Sequence, residues 1–189
     1  MAAEERRLRE EEEAARKRLE ADASQEQQIF SAQAEDLEKY RSEFFGRLRD
    51  VLGAQEGVRI VGDRFVFSSE VLFSPGSANL SADGREQIAQ IAGILRNVAD
   101  EIPPEIDWVI QVDGHTDNVP LSGNGEFSDN WELSQGRSLS VVKFMINFLD
   151  IPPTRVSANG FGEFQPITTG ETPEARAQNR RIELKFTGK

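Results

Sequence analysis

The feature that most limits the possible folds is an alternation of two hydrophobic periods over residues 58–187. "VRIVGDRFVFSSEVLF" (58–73) reads as two short strands about Gly62-Asp63, a two-residue hairpin turn with glycine first. A period of about 3.6 residues follows from Ser81 to Asp100, with Ile88, Ile91, Ala92 and Leu95 on one helical face and "IPP" closing the helix. "IDWVIQVDGHTD" (106–117) returns to strict alternation: Ile110 and Val112 on a dry face, Gln111, Asp113, His115 and Asp117 on a polar one. A second helix covers "SDNWELSQGRSLSVVKFMINFLDIPP" (128–153), with Asp129 as N-cap and Glu132 as its capping-box partner. "RVSANGFG" and "NRRIELKFT" complete the set as strands. This order predicts an α+β fold, a two-layer sandwich with the helices on one face of a mixed four-stranded sheet.

A long helix precedes this globule. Residues 1 to about 28 hold almost no large apolar side chains, and acids stand four residues before bases at Glu5/Arg9, Glu12/Arg16 and Glu13/Lys17, the pattern of a solvated helix. From Phe30 the residues Phe30, Ala34, Leu37, Arg41, Phe44, Leu48 and Val51 step by four and three, the roughly 3.5-residue period of a coiled-coil seam that only Arg41 interrupts. Such a seam fits either packing on the globule or self-association into a homodimer. "GAQEG" (53–57) supplies the glycines that end the helix. The expected layout is a charged arm over 1–52, a linker and hairpin start over 53–62, and a folded domain over 63–187.

Composition removes several functions. A net charge of -11 and an isoelectric point near 4.7 oppose nucleic acid or an anionic membrane surface as the main partner. The chain has no cysteine, hence no disulfide, thiolate nucleophile or thiolate zinc site. Its N-terminal stretch has no apolar signal core, and no apolar run reaches bilayer length. Phosphate-binding loops and nucleophile-elbow motifs are missing, and a lone His115 between Asp113 and Asp117 is a poor metal site, so no cofactor, metal or enzymatic activity is expected. The neighbouring carboxylates predict a raised pKa for His115 and a turn-orienting hydrogen bond from it.

One residue breaks the pattern of its helix. Leu133, Val141, Phe144 and Phe148 form an apolar stripe, and Arg137 falls within it. A buried guanidinium must be paired or must face a ligand, because an isolated buried charge is costly. Two readings follow: a structural salt bridge between Asp117 and Arg137, or a clamp in which Asp117 accepts an ammonium while Arg137 holds a carboxylate.

"VDGHTDNVP", "NWELSQGR", "GFGEFQPI" and "RAQNRRIEL", in that order, resemble the peptidoglycan-binding domain of the OmpA-like family, and "NWELS" and "VLFSPGSANL" resemble its MotB branch, the stator proteins of the flagellar motor. The resemblance covers about residues 60–187. It implies noncovalent binding of peptidoglycan through the diaminopimelate of the stem peptide, with Asp117 and Arg137 as the principal pair. Asn130, Arg180 and Thr116 would complete the pocket; Ser77 and Asn79 lie in a loop whose pattern is too loose for such a transfer. It also implies a periplasmic domain tethered to the inner membrane by a segment outside this sequence, anchoring a channel partner of the MotA or TolQ/ExbB type to the cell wall. The competing class is an assembly scaffold whose Asp117/Arg137 pair is structural. Gly136 and Ala175 depart from the family pattern, and Gly136 predicts a looser setting for the neighbouring arginine.

Overall fold

The structure, a computed structural model, describes residues 2–52, 58–104 and 106–188. It divides into two compact units, one up to Lys39 and one from Tyr40. Helix α1 spans Ala2–Leu52 and supplies the whole of the first unit. Two of the three anticipated ion pairs are present, Glu5–Arg9 at 3.7 Å and Glu13–Lys17 at 2.8 Å, whereas Arg16 turns forward to Glu20 at 3.5 Å. Ile29 and Phe30 are exposed. In the second unit Arg41, the break in the seam, lies 3.7 Å from Asp63 of the hairpin turn. Residues 53–57, read as the helix end, and the side chains of Phe44, Leu48 and Val51 lie outside the described residues.

The sheet has five strands rather than four, because the first strand of the hairpin remains paired at the edge. They are β1 (Val58–Val61), β2 (Arg64–Ser68), β3 (Trp108–His115), β4 (Val156–Gly160) and β5 (Arg181–Gly188), in the order β1-β2-β5-β3-β4. Only β3 and β4 are parallel. Val61 pairs with Arg64 around Gly62, whose φ of +60° suits glycine, so the two-residue turn forms as its sequence dictates. The second strand stops earlier than its apolar content suggests: Ser68 accepts a hydrogen bond from the Glu70 amide and starts a one-turn helix, α2 (Ser69–Leu72).

Register explains the two faces. Phe65 and Phe67 of β2 lie opposite Leu184 and Ile182 of β5, which in turn meet Val112 and Gly114 of β3; Phe186 meets Ile110. Every one of these large side chains is buried, together with Leu72, Ile88, Ile91 and Leu95 from α2 and from α3 (Ala82–Ala99). Ser81 caps α3 by accepting from the Gly84 amide at 2.9 Å. Helix α4 (Asn130–Phe148) begins as the sequence requires, with the Asp129 carboxylate accepting from the Glu132 amide at 2.8 Å. The Glu132 side chain returns the bond to the Ser128 amide at 2.9 Å, one residue before the expected position. The buried stripe of α4 continues through Met145, while Phe148 is exposed and Phe144 half-buried.

Helix α4 reaches β3 and β4 through glycine. Gly114 and Gly160 are register partners. A Cβ on Gly114 would stand 2.2 Å from the Ser134 carbonyl oxygen, and one on Gly160 would stand 2.5 Å from the Gln135 amide nitrogen. Ser138 Oγ donates to the Asn159 carbonyl at 2.7 Å, and the Gly162 amide donates to Ser134 Oγ at 3.0 Å, so the contact is also hydrogen-bonded.

The opposite face of the sheet is polar but closed to solvent, against the simple alternation. Asp113, His115, Arg181 and Glu183 are all buried. Glu183 accepts from Arg181 at 2.6 Å and from Arg64 at 2.5 Å, and these bonds hold its pKa down despite burial. His115 stacks on Phe161 with centroids 5.2 Å apart, and neither ring nitrogen has a hydrogen-bond partner. The expected raised pKa and turn-orienting bond are therefore incorrect: burial first, and the charge of Arg181 second, lower the His115 pKa to about 4.

Gly114→Ala must displace α4 from the sheet, so it should lower the unfolding free energy by about 3 kcal/mol, read from urea denaturation. The histidine gives a pH dependence. Its unfolded form binds a proton near pH 6.5 and its folded form only near pH 4, so this contribution to stability is intact above about 6.5 and is lost as pH falls toward 4. The loss amounts to about 3 kcal/mol over that window. Denaturation of His115→Gln across the same window should show a correspondingly flatter profile.

Candidate functional site

Past its last paired residue, β3 is held to the chain following β4: the Phe161 amide donates to the Gly114 carbonyl and the Thr116 amide to the Gly162 carbonyl, both at 2.9 Å. Asp117 then turns the chain, its Oδ1 accepting from the Val119 amide at 3.0 Å. Thr116 Oγ1 donates to the Asp117 carbonyl at 3.0 Å. Asn130, first residue of α4, places Nδ2 2.7 Å from Glu163 Oε2, 3.1 Å from the Val119 carbonyl and 3.3 Å from that of Asp117. Thr116 thus spends its hydroxyl on the backbone of this turn, and Asn130 joins that backbone to the Glu163 carboxylate.

Arg180 closes the other side. It caps a short helix, α5 (Pro173–Asn179), immediately before β5, and its Nη1 donates to Asp117 Oδ2 at 2.5 Å. Its Nη2 pairs with Glu70 of α2, while its carbonyl accepts from the Ser69 amide at 3.0 Å. Burial disfavours the Arg180 charge, but the hydrogen bonds to Asp117 and Glu70 outweigh it and raise the pKa.

Arg137 lacks such compensation. It is 5% exposed, and no carboxylate lies within ion-pair distance of it among the described residues. The structural Asp117/Arg137 salt bridge is therefore incorrect: Arg180, 63 residues from Asp117 in sequence, takes the carboxylate instead. Arg137 keeps one hydrogen bond, Nε to the Ser77 carbonyl at 3.0 Å, and its guanidinium sits 5.2 Å from the centre of the Phe73 ring. Burial and then the positive charge of Arg180, opposed by Asp117, lower its pKa to about 10, which leaves it protonated at neutral pH. Gly136, the departure in this helix, makes room for Phe127: a Cβ there would meet the ring at 2.6 Å.

A cavity of about 290 Å³ opens beside this guanidinium, lined by Arg137, Arg180, Glu70, Ser69, Phe73, Pro75 and Gly76. Of the residues expected from the sequence, Arg137 and Arg180 line it, and Asp117 bonds to the latter without being part of the lining. Thr116 and Asn130 brace the Asp117 turn without lining this cavity. Ser77 contributes a backbone carbonyl to Arg137, and Asn79 donates its amide to Ser77 Oγ at 3.0 Å. Ser69, Glu70 and Phe73 were not foreseen. The one signal available was the acidic Glu70 in an otherwise apolar run. The cavity offers one saturated and one unsaturated guanidinium, an arrangement that favours an anionic group.

Fold and site together define a member of the OmpA family: residues 72–180 match it, and the chain belongs to it. Motility protein B of Bacillus subtilis is 29% identical over 157 residues, covering 82% of this chain and 57% of that protein. Among solved structures, a putative MotB-like protein from Desulfovibrio vulgaris superposes with a TM-score of 0.70 at 29% identity, covering 83% of this chain and 99% of that one. The cell wall anchor of the T6SS from Pseudomonas aeruginosa superposes with a TM-score of 0.58 at 29% identity, over 75% of this chain and 94% of that one. The chain spans about half the length of the first curated relatives, 57% of one and 46% of another.

Because Arg137 is a buried charge without a counter-ion, replacing it with an apolar side chain of similar length should not destabilise the domain. Arg137→Met is expected to unfold at the same temperature as the wild type or higher, as measured by circular dichroism.

Proposed function

We propose that this domain binds peptidoglycan noncovalently, gripping the free amino-carboxylate end of diaminopimelate in the stem peptide. The observation that carries this reading is Arg137, a buried guanidinium kept beside a cavity without a carboxylate partner. A ligand carboxylate would complete it through paired N–H···O bonds. Asp117 uses one lone pair at each oxygen, for Val119 and for Arg180, and a second remains at each for a ligand ammonium. Asn130 and Thr116 hold the Asp117 turn in place, and Arg180 sets the carboxylate's orientation. No step of chemistry is assigned to these groups.

The T6SS relative is a cell wall anchor, and the relation to MotB proteins supports the same role here: fixing an envelope complex to the wall from the periplasm. In this reading the arm connects the domain to an inner-membrane segment and to a channel protein of the MotA or TolQ/ExbB type. The exposed Ile29 and Phe30 on α1 favour pairing of two arms, which would set two wall-binding domains on one anchor.

Co-sedimentation with purified diaminopimelate-type sacculi tests the function. Wild-type protein should pellet and be released by free diaminopimelate. Asp117→Ala and Arg137→Met should each weaken binding by about tenfold to a hundredfold, the loss expected for a charge-assisted hydrogen bond. Unaltered binding by the folded variants would refute the clamp. Sedimentation velocity of residues 1–189 beside 58–189 tests the pairing: dimer for the first and monomer for the second is expected.

A further inference from the structure

A second group in the Arg137 cavity is also left uncompensated. Ser69 opens α2 and is 1% exposed, and its Oγ has no hydrogen-bond partner. Its backbone, by contrast, is fully used: the amide donates to the Arg180 carbonyl at 3.0 Å, and the carbonyl accepts from the Phe73 amide at 2.9 Å. Capping of α2 falls to Ser68, so the Ser69 hydroxyl has no role in the helix start. Buried hydroxyls almost always find a partner, and one that does not reduces stability. Ser69 lines the same cavity as the Arg137 guanidinium, with its hydroxyl buried at the cavity wall.

We propose that Ser69 Oγ is a specificity-determining donor for the ligand carboxylate held by Arg137. The inference rests on the peptidoglycan-binding reading above and names the chemical state of the group that enters the cavity. Arg137 can only donate, and a serine hydroxyl turns freely to donate beside it. An ionised carboxylate accepts at four lone-pair positions and satisfies both groups at once. A carboxamide in its place accepts only through one oxygen and turns its N–H donors toward the Arg137 guanidinium, which can only donate. A site built this way rejects the analogue that leaves its polar groups unpaired. Recognition is therefore of diaminopimelate whose side-chain carboxyl is free, and not of its amidated form. Glu70, bonded to Arg180 in the lining of the same cavity, supplies negative charge there, and Asp117 supplies more on the other side of that guanidinium's contacts.

The test is calorimetric titration with two synthetic stem tetrapeptides that differ only in a free carboxylate or a carboxamide at the side-chain end of diaminopimelate. Wild-type protein should prefer the acid. Ser69→Ala should bind the acid about tenfold more weakly, with the amide little changed, so the preference shrinks. Its thermal midpoint should stay level or rise, because an unpartnered buried hydroxyl has been removed. Ser69→Cys, close in shape but a poor donor, should behave the same way. The acid-to-amide ratio is insensitive to any fraction of unfolded protein. An unchanged ratio in both variants, with Arg137→Met still defective, overturns the role of Ser69 alone. Wild-type protein that binds neither peptide nor sacculi overturns the peptidoglycan reading and this inference with it.

Discussion

The backbone of α4 lies directly against the backbones of β3 and β4, with two paired glycines where side chains would otherwise stand. A methyl group at Gly114 or Gly160 would fall within 2.5 Å of helix backbone, so this approach is possible for no other residue. Hydrogen bonds from Ser138 to Asn159 and from Gly162 to Ser134 lock it. The consequences run outward along the helix. Asn130 at its start meets the carbonyls of the Asp117 turn, and Arg137, one turn past Leu133, is pressed against Phe73 and the Ser77 carbonyl. The position of the proposed binding groups is thus set by backbone packing.

Much of this was readable in the sequence, and the failures share a cause. Periodicity located the helices and strands, and it exposed Arg137 as an intruder in an apolar stripe. It could not show that Arg137 would be left without a carboxylate among the described residues, because Asp117 is claimed by Arg180, 63 residues away in sequence. Helix α2 escaped notice since four residues are too few to show a period, and "VFSSEVLF" continues the strand pattern by composition. Ser69 and Glu70 were hidden with it. His115 was misjudged because alternation distinguishes the two faces of a strand but not whether the polar one is covered. Here that face carries its own buried ionic network, and desolvation outweighs the nearby carboxylates.

Local and global electrostatics oppose each other in this protein. The chain as a whole carries a net charge of -11, yet the cavity holds a guanidinium without a carboxylate partner among the described residues. Physiological salt screens exposed charges beyond about 8 Å, whereas the buried guanidinium is screened far less. On the proposed function, an anionic polymer would be repelled weakly at a distance and attracted at one point. Such a surface would resist general adhesion and restrict contact to the proposed site.

The strand order has a bearing on how the molecule is made. Strand β5 is the last element in the chain but the middle one in the sheet, flanked by β2 and β3. Until residues 181–188 are available, the hairpin of β1 and β2 and the parallel pair of β3 and β4 share no edge. Arg180, which tethers Asp117 to α2, enters with the same strand. Folding and completion of the proposed site are then a single late event, and a chain not yet synthesised through residue 188 has neither a closed sheet nor the Arg180 wall of the cavity.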